Sequence, residues 1–131
     1  MGKGKNIEFL SRYIRNLIVS PIFGICHGTR RGKEQEWYAK YLDCNVIGTE
    51  ISDTAEQFPN TIQWDFHMVK PEWRNSVDFI YSNSFDHSYN PEEGLTSWMS
   101  CLKREGYALL SIPPVMASPG HRNSIRSGPT W

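Results

Sequence analysis

The chain has 131 residues, the length of one domain, with 14 Lys and Arg against 14 Asp and Glu, 39% hydrophobic and 21% charged residues. This globular balance excludes a disordered chain, and no apolar run approaches the ~20 residues of a membrane span. The three cysteines, Cys26, Cys44 and Cys101, are widely spaced with no CxxC, which argues against a disulfide framework or a cysteine zinc site.

A reducing, cytoplasmic setting is the expectation, since no apolar signal-like stretch follows Lys3 and Lys5. The neutral total conceals a pattern. Residues 1–42 hold eight basic against three acidic side chains, residues 43–93 two against ten, and residues 94–131 four against one. Nucleic-acid binders usually carry a basic stripe, so the acidic middle argues against such a partner.

In chain order, Ile7, Leu10, Ile14 and Leu17 recur at helical spacing and predict a helix over 6–18, broken by Ser20-Pro21. Ile22 to Cys26 reads as a buried strand, Gly28 to Gly32 as a turn, and residues 33–42 as a helix. Further strands are predicted at Asn45 to Thr49, Thr61 to Trp64 and Val77 to Ser82. Pro91 suits the first turn of a helix and Glu92 and Glu93 its positive end. That helix runs to about Lys103 along Leu95, Trp98, Met99 and Leu102. Glu105-Gly106 then turns the chain into a fifth strand, Tyr107 to Ile112, stopped by Pro113-Pro114. Residues 115–131 read as an irregular tail.

Alternating strands and helices predict an α/β fold, a three-layer doubly wound sandwich around a mainly parallel sheet of about five strands. The predicted organisation is an N-terminal helix over 1–19, an α/β body over 20–114 and a tail over 115–131. In such sheets ligands bind outside the carboxyl ends of the strands, so the strand-end residues carry the chemistry.

After the first strand, Gly28 and Gly32 either let backbone approach an anionic ligand at a helix start or simply make the turn. The spacing is not GxGxxG, which argues against a nicotinamide enzyme. Glu50, 22 residues beyond Gly28, is either a solvated strand-end acid or N-cap partner or, with the glycine turn upstream, the holder of a ribose diol, the reading favoured here. Asp65, between Trp64 and Phe66, could accept from an adenine amine beside a stacking ring, or could cap a turn between two core residues. The fourth strand leads into Ser82-Asn83-Ser84-Phe85-Asp86-His87-Ser88-Tyr89, where His87 is either a general base or a structural hydrogen-bonder. His27, His67, His87 and His121 form no HExxH and no i, i+4 pair, so no metal site is predicted.

The order of these features resembles the class I S-adenosylmethionine-dependent methyltransferases over residues 20–113. It runs from the glycine turn through strand-end Glu50 and Asp65 and the Val77 to Asn83 run to Cys101-Leu102-Lys103-Arg104-Glu105-Gly106-Tyr107. Gly28-Thr29-Arg30-Arg31-Gly32-Lys33-Glu34 is similar to a GxRxGxE variant of that family's first motif. The usual motif opens with an acid and alternates glycines. Here Gly24 stands in place of the acid, and Cys26 and Arg30 in place of two glycines.

The resemblance implies that Gly28, Thr29, Arg30 and Gly32 cradle the amino-acid end of S-adenosylmethionine. It places Glu50 and Ile51 at the ribose, Asp65 and Phe66 at the adenine, and Asn83 by the methionine moiety or the acceptor. Asp86 or His87 would be the base for an acceptor that must lose a proton. The family normally closes with an antiparallel hairpin beside strand five. The expectation here is a Rossmann-like fold lacking those C-terminal strands, with strand five a bare edge able to pair with a second copy. The implied function is methyl transfer to a small-molecule acceptor. The alternative is a truncated, non-catalytic Rossmann-like domain that binds S-adenosylmethionine or a partner chain without turnover.

Overall fold

A computed structural model of the protein describes residues 3–29, 33–111, 114–121 and 126–127. The helical spacing at the N-terminus produces α1 (Lys3–Leu17), whose Ile7, Leu10 and Ile14 are fully buried. The first parallel strand, β1 (Phe23–His27), is followed by α2 (Glu34–Leu42) and β2 (Asn45–Glu50). The short β3 (Thr61–Gln63) leads to β4 (Val77–Ser82), buried at all six positions as a central parallel strand must be. Next, α3 (Pro91–Cys101) starts with Pro91 in its first turn, and Asn90 caps it by accepting from the Glu93 backbone N–H at 3.2 Å.

The chain continues into β5 (Leu102–Ser111), β6 (Pro114–Ala117) and β7 (Arg126–Ser127). The sheet order is β3-β2-β1-β4-β5-β6-β7. The first five strands are mutually parallel, which bears out the predicted α/β sheet.

Alternating side chains build a core on each face. On one side Cys26, Phe79, Tyr81, Tyr107 and Leu109 meet α1 and Tyr38 and Leu42 of α2. On the other, Ile25, Ile80, Ala108 and Leu110 meet Trp98 and Cys101 of α3 and Trp73. Gly24 gives one ring its place, because a Cβ there would lie 2.2 Å from Cζ of Phe79. The buried carboxylate of Asp78 sets the start of β1: it accepts from the backbone N–H of Ile22 at 2.8 Å and of Phe23 at 3.0 Å. Lys103 balances its charge from 3.1 Å.

Two expectations need correction. Glu105-Gly106 does not turn the chain into a strand; β5 already begins at Leu102, paired with Val77, and the register shifts before Phe79 pairs with Tyr107. Gly106 fits this irregularity because a Cβ would meet the Asp78 carbonyl oxygen at 2.8 Å.

The tail is not irregular throughout either. β6 pairs antiparallel with β5 and β7 with β6, so the expected bare edge of β5 is covered. Met116, Ala117 and Ser118 are buried, Tyr13 of α1 donates to the Met116 sulfur at 3.3 Å, and Ser118 Oγ donates to the Gly106 carbonyl at 2.6 Å. Pro114 is tolerated because it stands at the first position of its strand. Among the described residues the outer strands of the sheet are β3 and β7.

Candidate functional site

The strand order reverses direction at β1, which lies between β2 and β4, and that crevice is where a doubly wound sheet takes its ligand. A cleft of about 250 Å³ opens there, lined by Gly28, Glu50, Ile51, Trp64, Asp65, Phe66, His67, Ser84, His87 and Tyr89. Six sequence-predicted positions therefore meet in one place: Gly28, Glu50, Ile51, Asp65, Phe66 and His87.

Gly28 adopts φ +68°, a left-handed conformation that a side chain disfavours, and a Cβ on it would fall 2.1 Å from Ser84 Oγ. The turn is thus bare backbone facing the cleft, with the Gly28 carbonyl accepting from Ser84 Oγ at 3.3 Å. Thr29 is buried and its N–H donates to the Thr49 carbonyl at 3.0 Å. Its hydroxyl has no hydrogen-bond partner among the described residues. Arg30 and Gly32 lie outside the described residues.

Glu50 ends β2, half-buried, and accepts from the Ser52 N–H at 3.2 Å. The exposed Ile51 adds an apolar wall.

Asp65 is the most connected group. Its Oδ1 accepts from the His67 backbone N–H at 2.9 Å and bonds His67 Nδ1 at 2.6 Å, while Tyr89 donates its hydroxyl to Oδ2 at 2.6 Å. Burial alone would push the Asp65 carboxyl up. The hydrogen bonds from Tyr89 and from the His67 backbone and ring outweigh it and hold Asp65 below its ordinary 3.8. The same bond to Asp65 pushes the Tyr89 phenol up to about 12, so it stays a neutral donor.

α3 sets this loop in place from behind. Trp98 Nε1 donates to the Phe66 carbonyl at 3.0 Å and Ser97 Oγ to the His67 carbonyl at 2.5 Å. Gly94 permits the approach, since a Cβ there would already press on His67 and Phe85 at 3.3 Å. Beneath lies His27, the last residue of β1, stacked on Trp98 at 5.0 Å and bonded to Thr49 Oγ1 at 2.7 Å. Burial, then the charge of His67, lowers its pKa to about 3, so it is a neutral floor residue. Cys26 beside it is fully buried and its thiol is pushed well up by burial first, then by the Glu34 charge, as befits a packing residue.

His87 is exposed in the short 3-10 turn Phe85–His87 and reaches the cleft; the Asp86 side chain lies outside the described residues. Asn83 is half-buried between Ser82 and Ser84, and it is Ser84 that lines the cleft. Sequence reading placed Tyr89 in a polar cluster without a role and passed over Ser84 and His67. The signal for His67 was present in the Asp65-x-His67 spacing, which allows an aspartate to take the N–H two residues on.

No protein-family description and no curated protein matches this sequence. Solved structures do match its fold. The chain is similar to the sugar N-methyltransferase KedS8 from Streptoalloteichus sp., with a TM-score of 0.66 over 79% of this chain and 46% of that one, at 15% identity. DesVI of Streptomyces venezuelae gives 0.69 over 82% and 49%, at 14% identity. The plantazolicin methyltransferase BpumL, solved in complex with S-adenosylhomocysteine, gives 0.68 over 79% and 44%, at 20% identity. The protein has the fold of the class I S-adenosylmethionine-dependent methyltransferases, and it spans less than half the length of each of these three.

Proposed function

We propose that this cleft binds S-adenosylmethionine and that the chain provides the cofactor side of a methyltransferase acting on a small-molecule acceptor. The observation that carries the reading is the convergence of a bare-backbone turn at Gly28, a strand-end carboxylate at Glu50 and a second at Asp65 on one cleft.

The residues suit that cofactor. Gly28 leaves room where a Cβ would intrude, Thr29 keeps a buried hydroxyl without a partner among the described residues, and Glu50 offers acceptors for a diol. Arg30 and Gly32 would complete the turn and Asn83 would stand by the methionine end. S-adenosylmethionine supplies a methyl group on a sulfonium, already activated for transfer. The chain's own task is then alignment: holding donor and acceptor in line, with little acid–base chemistry required. Phe66, Ile51 and Trp64 supply apolar walls that exclude water. His87 lines the cleft and is exposed, which supports a role in taking a proton from an acceptor amine or hydroxyl, with Asp86 the other candidate in the same turn. The fold likeness to the sugar N-methyltransferase KedS8 supports a small acceptor.

Titration calorimetry with S-adenosylhomocysteine tests the reading. We expect binding in the micromolar range that weakens by tenfold or more in Glu50→Ala, since lost hydrogen bonds to a charged group cost roughly 1.5–3 kcal/mol. Absence of heat at high micromolar ligand would rule the cofactor out. Methyl transfer to amino sugars or small amines then tests His87→Ala, expected to lower turnover more than cofactor affinity.

A further inference from the structure

An ionised carboxylate has about four lone-pair sites, two on each oxygen, and accepts only. Among the described residues Asp65 has three of them engaged: two on Oδ1 by His67 and one on Oδ2 by Tyr89. Its side chain is still 24% exposed and faces the cleft. One acceptor site on Oδ2 is therefore left for a ligand.

We infer that His67 and Tyr89 form a clamp that turns Asp65 into a reader of one N–H donor, the 6-amino group of the purine base. This rests on the S-adenosylmethionine reading above. Neither residue needs to touch the ligand to do this; both are positioning residues. An aspartate alone can rotate about its terminal torsion and exchange its two oxygens at little cost. Here rotation would break three hydrogen bonds at once.

The clamp is itself held. His67 is 6% exposed, its Nε2 bonds Ser88 Oγ at 2.6 Å, and its carbonyl takes the Ser97 hydroxyl. The Tyr89 ring lies over the His67 ring at 3.8 Å, and Asn90 N–H donates to Ser88 Oγ at 3.1 Å. A carboxylate fixed in this way accepts from an amine and repels a carbonyl oxygen in the same place, so a 6-amino purine is favoured over a 6-oxo one.

The test compares S-adenosylhomocysteine with its 6-oxo counterpart, S-inosylhomocysteine, by calorimetry on the full chain. Wild-type protein should prefer the 6-amino ligand by roughly tenfold or more, the scale of a hydrogen bond to a charged acceptor. Tyr89→Phe keeps the ring on His67 but frees Oδ2. It should lose several-fold of that preference, chiefly through weaker 6-amino binding. Tyr89 is 66% exposed, so this variant should fold; if it does not, Ser88→Ala, which releases the far nitrogen of His67, carries the same test. Asp65→Asn, whose amide can donate to a carbonyl, should remove or invert the preference.

An unchanged ratio in a folded Tyr89→Phe protein overturns the clamp and leaves cofactor binding intact. Equal binding of both ligands by wild type does the same. Binding of neither overturns the methyltransferase reading, and the clamp with it.

Discussion

His27 is a histidine used as a core aromatic. Its pKa is lowered to about 3 from an ordinary 6.5, by burial ahead of the His67 charge. Between those values the unfolded chain binds a proton that the native chain refuses. Stability from this group is therefore complete above about pH 6.5 and is lost as pH falls toward 3. At 1.36 kcal/mol per unit the loss is on the order of a few kcal/mol. Urea midpoints measured from pH 7 to 4 should fall, and His27→Gln should flatten that slope; an equal slope in the variant would assign it to other groups.

Gly28 poses a separate demand. Gly28→Ala meets both the left-handed backbone, costing roughly 1–2 kcal/mol, and the Ser84 hydroxyl. We expect Ser84→Gly added to Gly28→Ala to restore part of the thermal stability but not all, because the backbone cost remains. At this scale the sequence reading reached Gly28, Glu50, Asp65 and His87 because each stands at the end of a strand or in the loop that follows, a position that topology alone makes chemical. It missed the partners of Asp65. His67 and Tyr89 meet through a loop whose Ser88 and Tyr89 lie 21 and 24 residues beyond the atoms they bond, and no local pattern reports such pairing.

The elements were more legible than their ends. β4 falls at Val77–Ser82 as expected because Val77, Phe79, Ile80 and Tyr81 are strong strand formers gathered in one short run. The α3 to β5 passage was misplaced because Glu105-Gly106 has turn composition. Its glycine instead answers the closeness of the Asp78 carbonyl, a tertiary fact. The C-terminal strands were missed because Pro113-Pro114 reads as a stop and the apolar run beyond it, Val115 to Ala117, is only three residues long. β6 is strand by virtue of the row of backbone groups β5 offers it. It should behave as part of the core. Met116→Asp would place a charge in a site 4% exposed and is expected to cost several kcal/mol, read as a lower urea midpoint and faster amide exchange in β5. A surface-like cost below about 0.5 kcal/mol would show β6 to be only loosely docked.

Across the whole molecule, the acidic middle of the sequence becomes a location. Glu50 and Asp65, from residues 43–93, stand on the cleft wall, at the end of the sheet where parallel strands release their ligands-facing loops. Asp78, from the same segment, sits buried between β1 and β4 and pairs with Lys103 from the basic end of the chain. Folding thus brings one acid of the middle segment to a base of the last one. Among the described residues no helix is long and apolar enough to cross a membrane.

The contact between Gly24 and Phe79 couples two positions 55 residues apart in the chain. The two positions face each other across β1 and β4 and share one volume, so neither can change size alone. Gly24→Ala should destabilise by about 1–3 kcal/mol through overpacking, and Phe79→Ala by roughly 3–5 kcal/mol through the void it leaves. The double replacement should cost less than their sum, a coupling that a double-mutant cycle measures directly. An aspartate at position 24 would meet the same ring and bring a charge with it, so it should be tolerated only beside a smaller residue at position 79.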